Sequence, residues 1–354
     1  MHGGDIYRNK VNTDFSVNLN PLGPPPEVLH ALQTSLGMAG YYPDPRQDAV
    51  RDAIAQYERT EPDCIAAGCG ASQLILAAVR AEGPRSALVY EPAYSGYEYA
   101  LHSAGCFVQK VPLREEDDYV LTKRDLGALD VRPDMVFLCD PANPAGKNID
   151  TDLILDLLDR TKGRGTRVVL DESFLLMSRK AAAGNMTGRG DLVRRYDNLY
   201  IVRSLTKLFA LPGIRMGYVM SAPGNISRIM GQLPEWNLPV TAQEAIRAGM
   251  EVLGKTDYLR RTQETVAAER EYLAQMLRES GMDVYESDAP YLLFRGPEML
   301  CEALLSRGIL IRDCSDFPGL GKGMFRIAVK EHAACESFCR TLREVMNETG
   351  DCKA

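Results

Sequence analysis

Between about residues 60 and 220, short apolar runs with high β-propensity alternate with stretches that carry apolar residues at helical spacing. The runs are apolar on both faces and end in polar residues, which is typical of parallel strands covered by helices on both sides of a sheet. The pattern predicts an α/β fold with a mostly parallel sheet. It identifies the following runs as central parallel strands: 86–90, 135–139, 167–170, 199–202 and 217–220.

The pattern changes near residue 283, where isolated strand signals alternate with helices and favour a smaller α+β domain. A proline-rich opening at 20–26 excludes regular helix or strand and predicts an arm. We expect an N-terminal arm over 1–45 that lies partly in the small domain, a large α/β domain over 46–255 and a small domain over 256–354. The remaining predicted elements are helices at 72–80, 151–161, 241–253, 257–279, 298–307 and 332–346, and strands at 291–294, 309–312 and 325–329.

The charge balance of the 354-residue chain excludes some classes of function. Its 41 Lys and Arg residues against 48 Asp and Glu give a net charge of −7, whereas nucleic-acid binding depends on neutralising phosphates with cationic side chains. No run of about 18 apolar residues occurs, which argues against a membrane span. Residues 1–30 lack the basic flank and apolar core of a secretory signal. We expect a cytoplasmic protein that binds a small ligand, not nucleic acid or membrane.

The nine cysteines and four histidines give no metal-site pattern. No cysteine pair has the two-residue spacing of zinc or redox motifs, so we expect reduced and mostly buried thiols. Cys335 and Cys339, four apart on a predicted helix, leave a weak alternative of a metal site, and the histidines are too scattered for a three-histidine centre. The sequence thus predicts no metal, and we expect difficult chemistry to come from an organic cofactor or from Lys, Asp and Arg side chains.

Ligands of open α/β sheets bind outside the carboxyl ends of the strands, so the residues that follow each predicted strand are candidates for chemistry. Asn143 lies in a proline-bounded turn after one strand, Asp171 directly follows the next, and Lys207 lies just beyond a third. Taken singly, they are explained as a turn residue, a strand-end helix cap and a solvated surface lysine. Together they suit pyridoxal phosphate. This cofactor requires a carboxylate for its ring nitrogen, an amine that forms an imine, and nearby hydroxyl and guanidinium groups for its phosphate.

The order of these residues resembles that of the fold type I pyridoxal-phosphate enzymes, in the class I and II aminotransferase branch, along nearly the whole chain. The run Ser-Leu-Thr-Lys at 204–207, followed by Arg215, is similar to the family's Schiff-base motif. The resemblance implies pyridoxal 5'-phosphate as cofactor and a large domain with a mostly parallel seven-stranded sheet beside a smaller α+β domain. It implies these roles: Lys207 as the Schiff-base lysine, Ser204, Thr206 and Arg215 on the cofactor phosphate, Asp171 on the pyridine nitrogen, Asn143 on the phenolic oxygen, and Tyr94 stacked on the ring.

A glycine-rich turn, Gly-Cys-Gly-Ala-Ser-Gln at 68–73, follows a short apolar run and opens a helix. A dinucleotide fingerprint needs glycine where Gln73 stands, so a nucleotide-binding oxidoreductase is disfavoured. The resemblance also matches Tyr42 to a tyrosine that reaches the cofactor phosphate of a neighbouring subunit, which implies a homodimer with shared active sites. At the helix N-terminus it assigns phosphate contacts to Gly70, Ala71 and Ser72.

Two arginines of the predicted small domain are candidates for holding the substrate, because a planar guanidinium binds carboxylate or phosphate in two places. Arg326 matches the arginine that holds the α-carboxylate of amino-acid substrates. Arg312 resembles the arginine that histidinol-phosphate aminotransferases use for the substrate phosphate. For a lone arginine, the alternative is a surface salt bridge, such as Arg312 with Asp313.

The N-terminal segment narrows the resemblance to the L-threonine-O-3-phosphate decarboxylases of cobalamin biosynthesis, which are relatives of the histidinol-phosphate aminotransferases. Residues 2–23 resemble the opening of that branch, which implies that His2 and the Gly3 amide close over the substrate phosphate and that Asn20 lines the pocket. A frayed terminus is the alternative for His2. Phe174, where many aminotransferases carry a tyrosine that donates to the phenolic oxygen, also suits the decarboxylase branch.

The function implied by this resemblance is decarboxylation of O-phospho-L-threonine to (R)-1-aminopropan-2-ol phosphate for cobalamin biosynthesis. The alternative is an aminotransferase acting on histidinol phosphate or a similar amino substrate, because both reactions use the same lysine and cofactor. The bond held perpendicular to the pyridine plane is the one that breaks, and the sequence leaves open which bond that is. A non-catalytic binding protein would not require Lys207.

Overall fold

A computed structural model describes residues 3–184 and 189–351 of the chain. The strands are β1 (Thr13–Asp14), β2 (Ile65–Gly68), β3 (Ser86–Glu91), β4 (Phe107–Pro112), β5 (Met135–Cys139), β6 (Arg167–Asp171), β7 (Leu199–Ser204), β8 (Gly217–Met220), β9 (Asp283–Val284), β10 (Tyr291–Arg295), β11 (Ile309–Leu310), β12 (Arg312–Asp313) and β13 (Met324–Ala328). The α-helices are α1 (Pro26–Ser35), α2 (Asp48–Glu58), α3 (Ala71–Glu82), α4 (Gly96–Ser103), α5 (Thr151–Thr161), α6 (Arg179–Ala182), α7 (Arg189–Arg195), α8 (Leu205–Leu208), α9 (Pro223–Met230), α10 (Val240–Lys255), α11 (Tyr258–Glu279), α12 (Leu300–Ser306) and α13 (His332–Asp351). The predicted helices are all present, with ends that differ by a few residues.

The large sheet has the strand order β2-β8-β7-β6-β5-β3-β4. All neighbouring pairs from β7 to β4 are parallel, which confirms the predicted α/β fold with a mostly parallel seven-stranded sheet. The prediction that 217–220 is a parallel strand is wrong, because β8 is antiparallel to both of its neighbours. The connection from β7 contains only the four-residue helix α8. The chain therefore re-enters the sheet at the end where β7 finishes, without the crossover helix that a parallel strand needs.

Helices cover both faces of the large sheet, because alternate side chains of its strands point to opposite sides. Along β6, Val168 and Val169 belong to two different core clusters. On one face α10 packs closely through Gly249, where a Cβ would lie 2.4 Å from the ring of Phe209. Phe209 follows α8 directly, so this close packing supports the segment that carries Lys207.

The C-terminal region forms an antiparallel sheet with the order β12-β13-β10-β9. The predicted strand 309–312 is split at Ile311, because β11 pairs in parallel with β1 of the arm, whereas β12 pairs with β13. Phe15, which follows β1, packs its ring 4.9 Å from that of Phe338, in a core that also contains α11 and α12 side chains. The arm thus contributes to the core of the C-terminal region. In the described part of the chain, no helix is long and apolar enough to cross a membrane.

Candidate active site

The strand register gathers the predicted residues at one edge of the large sheet. Asp171 ends β6 opposite Cys139 of β5, and Ser204 ends β7 opposite Gly217 of β8. Gly217 also pairs with Gly68, where β2 ends and the glycine-rich turn begins. Separate stretches of sequence therefore meet at the carboxyl ends of the parallel strands, where open α/β sheets bind ligands.

Lys207 lies in α8, directly beyond the end of β7. Burial and the nearby charges of Arg326 and Arg215 lower the pKa of Lys207 to about 8, against the opposing effect of Asp171. Within the described residues, its ammonium group forms no ion pair. An amine with this pKa is a better nucleophile at neutral pH than an ordinary lysine.

Asp171 is buried and accepts two hydrogen bonds. The hydroxyl of Tyr97 donates to one carboxylate oxygen at 2.7 Å, and the backbone N–H of Ser173 donates to the other at 2.9 Å. Burial raises the pKa of Asp171, and the hydrogen bonds from Ser173 and Tyr97 oppose that rise. Among the side chains that the structure describes, no cation pairs with this carboxylate. A cationic group on a ligand would therefore stabilise its ionised form.

The contact of Tyr97 with Asp171 was not predicted from the sequence. It is buried in α4, its ring stacks on Phe137 with centroids 4.9 Å apart, and the ring of Tyr94 meets it edge-on at 5.4 Å. Burial raises the pKa of Tyr97 well above its usual value, so the hydroxyl stays protonated and donates to Asp171. Local pattern gave no signal for this contact, because Tyr94 precedes Gly96, the first residue of α4, and helical spacing does not relate the two rings.

The glycine-rich turn forms an anion cradle at the N-terminus of α3. Gly70 has a φ of +83°, and a Cβ on it would lie 2.6 Å from a guanidinium nitrogen of Arg215. The positive φ favours glycine, because other residues rarely adopt this backbone conformation. No side chain of the described residues caps the helix, so its first backbone N–H groups, including those of Ala71 and Ser72, are available to an anion.

Hydrogen bonds made by side chains hold this cradle in place. The side-chain oxygen of Gln73 accepts from the backbone N–H of Cys69 at 2.7 Å, so the residue that breaks the dinucleotide fingerprint closes the turn instead. The hydroxyl of Ser72 lies 3.1 Å from that of Tyr94. The hydroxyls of two further predicted phosphate ligands lie 2.8 Å apart, in Ser204 and Thr206.

Arg326 joins the large sheet to the arm. Its buried guanidinium donates to the side-chain oxygen of Asn143 and, at 3.0 Å, to the backbone carbonyl of Ser16, and it lies 5.4 Å from the centroid of the Tyr291 ring. In the described part of the chain, its Nε has no hydrogen-bond partner and no carboxylate pairs with it. A buried guanidinium without an anion is unfavourable, so an anionic ligand would complete this site. The bond to Arg326 also leaves the amide N–H groups of Asn143 to donate to a ligand.

Arg312 lies directly opposite Arg326, because the two are register partners in β12 and β13. Its Nη2 donates to both carboxylate oxygens of Asp316, at 2.8 and 2.9 Å, and its Nη1 donates to the backbone carbonyl of Asp313. The Asp313 carboxylate instead accepts from the backbone N–H of Ser315 at 2.8 Å. The expected alternative of a surface pair with Asp313 is therefore wrong. Arg312 is buried and its ion pair is with Asp316.

The arm reaches the site through Ser16. Gly3 packs so closely that a Cβ on it would lie 2.5 Å from the Ser16 carbonyl oxygen, which also accepts from Arg326. The neighbouring Gly4 N–H donates to the Ser16 hydroxyl at 2.8 Å. The structure thus brings Gly3 close to Arg326, whereas the predicted contact of His2 lies outside the described residues.

The side chain of Asn20 is buried among other protein groups. Its amide nitrogen lies 2.8 Å from the carbonyl oxygen of Leu208, 2.9 Å from the Tyr258 hydroxyl and 2.8 Å from the Thr262 hydroxyl. Its backbone N–H donates to the carbonyl of Lys207 at 3.0 Å. These bonds do not support the prediction that Asn20 lines the substrate pocket. They make it a residue that holds the segment around Lys207.

A buried ion-pair network fixes the strand ends on either side of the site. Glu172 accepts from Arg203 at 3.0 and 2.7 Å and lies 2.6 Å from Arg189, and all three side chains are buried. Glu172 follows Asp171 and Arg203 precedes Ser204, so the network ties the ends of β6 and β7 together.

Phe174 is buried edge-on against Tyr291, with ring centroids 5.0 Å apart. The Tyr291 hydroxyl donates to the carbonyl of Ala142 at 2.8 Å. Position 174 therefore supplies no hydroxyl donor, and the hydroxyl of the tyrosine that it contacts is already hydrogen-bonded.

No group of three His, Cys, Asp or Glu side chains in the described residues could hold a metal ion. Cys335 and Cys339 are buried free thiols, and burial raises the pKa of Cys335 to about 12 and that of Cys339 to about 11. Thiols with such pKa values resist the deprotonation that metal binding needs, so the metal alternative for this pair gains no support.

Comparison with known proteins identifies the family. Residues 10–342 match the family described as "Aminotransferase class I and II". The chain belongs to the class I and II aminotransferase family. A threonine-phosphate decarboxylase of Salmonella typhimurium is 32% identical over 338 residues, 94% of this chain and 91% of the relative. A histidinol-phosphate aminotransferase of Methanosphaera stadtmanae is 28% identical over 340 residues, 93% of this chain and 89% of the relative. The predicted resemblance is confirmed.

Solved structures show the same fold. The histidinol-phosphate aminotransferase from Clostridium acetobutylicum has a TM-score of 0.86 at 26% identity and covers 95% of this chain and 99% of its own. The enzyme from Sinorhizobium meliloti, solved in complex with pyridoxal 5'-phosphate, has a TM-score of 0.82 at 22% identity and covers 96% of this chain and 92% of its own. These likenesses confirm the fold type I architecture.

The cofactor of this class I and II family member is pyridoxal 5'-phosphate, and the site's residues fit it. Lys207 supplies a buried amine without an ion-pair partner in the described residues, and Asp171 supplies a buried carboxylate without a cation there. The uncapped N-terminus of α3, with Arg215 against Gly70, supplies an anion site. The amine, the acid and the anion site thus suit an aldehyde, a ring nitrogen and a phosphate.

We expect the cofactor-free protein to react with pyridoxal 5'-phosphate faster as the pH rises through about 8, because only the neutral amine of Lys207 attacks the aldehyde. In Arg326→Gln the midpoint should move to higher pH, because Arg326 is the charge that lowers this pKa most. The absorbance change on cofactor attachment, followed over a series of pH values, measures both midpoints. A midpoint near 10.5, the value of an ordinary lysine, would contradict this prediction.

Tyr97→Phe should weaken cofactor binding about tenfold to a hundredfold, because a hydrogen bond to a charged group contributes roughly 1.5–3 kcal/mol. The substitution keeps the ring that stacks on Phe137 and removes only the donor to Asp171. Titration of the cofactor-free protein with pyridoxal 5'-phosphate gives the dissociation constant. Tyr99→Phe, in the same helix but exposed, is the matched control, and an equal effect in both variants would argue against the role of Tyr97.

Proposed function

We propose that the chain is a pyridoxal-phosphate-dependent decarboxylase that converts O-phospho-L-threonine into (R)-1-aminopropan-2-ol phosphate for cobalamin biosynthesis. The observation that carries this proposal is the cross-strand pair of Arg312 and Arg326, two buried guanidinium groups side by side at the edge of the cofactor site. Such a pair suits a small amino acid that carries both a carboxylate and a phosphate. The similarity to the Salmonella threonine-phosphate decarboxylase supports the same substrate class.

In this proposal the two arginines divide the anionic groups of the substrate. Arg326 takes the carboxylate, because its Nε is unpartnered among the described residues while its other nitrogens keep their bonds to Asn143 and Ser16. Arg312 takes the phosphate, and the Gly3 segment, which packs on Ser16, lies beside this region and helps exclude water. Both anionic ends of a short substrate are then fixed, and their positions orient the bonds at the α-carbon.

Pyridoxal 5'-phosphate, when bound, supplies a conjugated ring that takes up the electron pair left when the bond between the α-carbon and the carboxylate breaks. Asp171, held by Tyr97 and Ser173, keeps a proton on the ring nitrogen and so favours that uptake. Lys207 would hold the cofactor until the substrate amine replaces it. The freed amine lies at the site, and as an ammonium group it would donate the proton that the α-carbon takes up after carbon dioxide leaves.

A second candidate is an aminotransferase acting on histidinol phosphate, which the Methanosphaera and Clostridium relatives favour. Lys207 would then move a proton from the α-carbon, and Arg326 would bind the carboxylate of the oxo-acid co-substrate, because histidinol phosphate has no carboxylate. Phe174 favours the decarboxylase, because position 174 offers no hydroxyl donor to the phenolic oxygen of the cofactor.

Incubation of the pure holoenzyme with O-phospho-L-threonine tests the proposal. We expect carbon dioxide and aminopropanol phosphate in equal amounts without any added oxo acid. Turnover of histidinol phosphate that depends on 2-oxoglutarate, with no carbon dioxide from O-phospho-L-threonine, would support the aminotransferase instead. O-phospho-L-serine as a parallel substrate measures selectivity for the extra methyl group, for which we expect a preference of about tenfold or more.

We further propose that the protein acts as a homodimer in which Tyr42 reaches the cofactor phosphate of the partner. Tyr42 is 78% exposed and stacks on Trp236 with ring centroids 4.5 Å apart, so two aromatic rings face outward together. Exposed paired rings of this kind favour a protein contact. Light scattering should give twice the chain mass, and Tyr42→Phe should weaken cofactor binding without changing that mass. A monomer that retains full activity would contradict this proposal.

A further inference from the structure

The ion pair between Arg312 and Asp316 raises a question about how a phosphate reaches Arg312. Two arginines face each other across β12 and β13, where like charges on directly opposite residues destabilise a sheet. Asp316 offsets this repulsion, because its two carboxylate oxygens both accept from Nη2 of Arg312. Arg326 donates to no carboxylate among the described residues, although the charge of Asp316 acts on it as well.

The position of Asp316 leaves its ion pair with Arg312 accessible from solvent. The Arg312 side chain is only 9% exposed, whereas that of Asp316 is 44% exposed. Arg312 is also held independently of Asp316, since its Nη1 donates to the backbone carbonyl of Asp313 and its guanidinium lies 5.1 Å from the centroid of the Phe317 ring. The guanidinium would therefore keep its place if the Asp316 side chain rotated towards solvent.

Asp316 occupies a terminal nitrogen that a phosphate would need. A bidentate grip uses two N–H groups of one guanidinium, and Nη2 of Arg312 already donates to both carboxylate oxygens of Asp316. A dianionic phosphate beside the Asp316 carboxylate would also be repelled. The two anions therefore compete for one set of donors.

We propose that Asp316 is a resident counter-ion of Arg312, which a phosphate dianion displaces and which a singly charged anion does not. This inference rests on the proposed role of Arg312 as the phosphate-binding residue. It makes Asp316 a specificity-determining residue, because an incoming anion must bind Arg312 more strongly than a carboxylate does. A phosphate meets that condition because it carries up to two negative charges, whereas a second carboxylate carries the same single charge as Asp316.

If Asp316 were instead a permanent anchor that orients Arg312, its removal would change the phosphate affinity in the opposite direction. Removal of an anchor would weaken phosphate binding, whereas removal of a competitor would strengthen it. The charge-neutral substitution Asp316→Asn separates the two, because it keeps the size of the side chain and removes the carboxylate.

Calorimetric titration of the holoenzyme with inorganic phosphate tests the proposal without relying on turnover. We expect Asp316→Asn to bind phosphate about threefold to fivefold more tightly than the unchanged protein, since a half-exposed ion pair contributes up to about 1 kcal/mol. Acetate, a monocarboxylate probe, should gain more than phosphate does. The matched control is Asp313→Asn, which removes the same charge from a carboxylate that does not touch the guanidinium and should have a smaller effect.

The double variant Arg312→Gln/Asp316→Asn separates this inference from the proposed function. If Asp316 acts through Arg312, the gain in phosphate affinity should disappear in the double variant. Unchanged or weaker phosphate binding in Asp316→Asn would overturn the counter-ion role, whatever substrate the enzyme turns over. Should Asp316→Asn fold poorly, as judged by its melting temperature, Asp316→Ser provides the same comparison.

Discussion

Lys207→Ala should lower decarboxylase or aminotransferase turnover by at least about 10⁴-fold, because the variant loses both the amine that holds the cofactor and the group that moves the proton. The purified variant should also lose the yellow colour of the bound cofactor. Its buried amine has no ion-pair partner in the described residues, so the loss of activity should come without a large loss of stability. Absorbance spectra and thermal unfolding measure the two effects separately.

The control for Lys207→Ala is Lys255→Ala, at the exposed end of α10, where the lysine pairs with Glu251 at 3.1 Å. It should leave colour and turnover unchanged. Lys207→Arg adds a second comparison, because it keeps a positive charge beside Asp171 but offers no neutral amine at the pH of the assay. Full activity in Lys207→Arg would show that the site needs a charge there and not a nucleophile.

Arg326→Gln should lower kcat/KM for O-phospho-L-threonine by about 10²-fold to 10³-fold, because truncating one partner of a buried charge pair costs roughly 2–5 kcal/mol. The loss has two sources. The substrate carboxylate loses its partner, and the bonds that Arg326 makes to Asn143 and Ser16 disappear. Steady-state kinetics should show a rise in KM together with a fall in kcat.

Arg326→Lys should recover little of this loss, because an ammonium group does not reproduce a planar fork that serves Asn143, Ser16 and a carboxylate at once. Arg295→Gln is the matched control, since Arg295 lies in the neighbouring strand β10 and pairs at the surface with Glu115. It should change kcat/KM by less than about threefold. If Arg326→Gln behaved like Arg295→Gln, the assignment of the carboxylate site would be wrong.

The central strands were predictable because residues buried on both faces form continuous apolar runs, as in β5 and β6. β4 carries no such signal, because it is an edge strand in which all six residues are partly or fully exposed, including Phe107 at 70%. The direction of β8 was also missed. The sequence pattern of a four-residue strand is the same whether the strand runs parallel or antiparallel. Only the short connection through α8 fixes the direction of β8.

Within the candidate site, Lys207, Asp171 and Asn143 were predictable because each follows a recognisable strand. The contact of Tyr97 with Asp171 was not, since it depends on how two segments separated by 74 residues meet. The same holds for the pair of Arg312 and Arg326, which only the antiparallel register places opposite each other. Local pattern locates the strand ends, whereas contacts between distant segments require the fold.

The pairing of β1 with β11 has a consequence for how the chain matures during synthesis. The residues proposed to bind the cofactor, Tyr42 aside, lie between Gly70 and Arg215, so that half of the site can form while the rest of the chain is still on the ribosome. The arm is translated before this half of the site, yet its partner strand emerges nearly 300 residues after the arm. We therefore expect the nascent protein to form its cofactor site well before its substrate site, because β1 of the arm cannot pair until β11 has been synthesised.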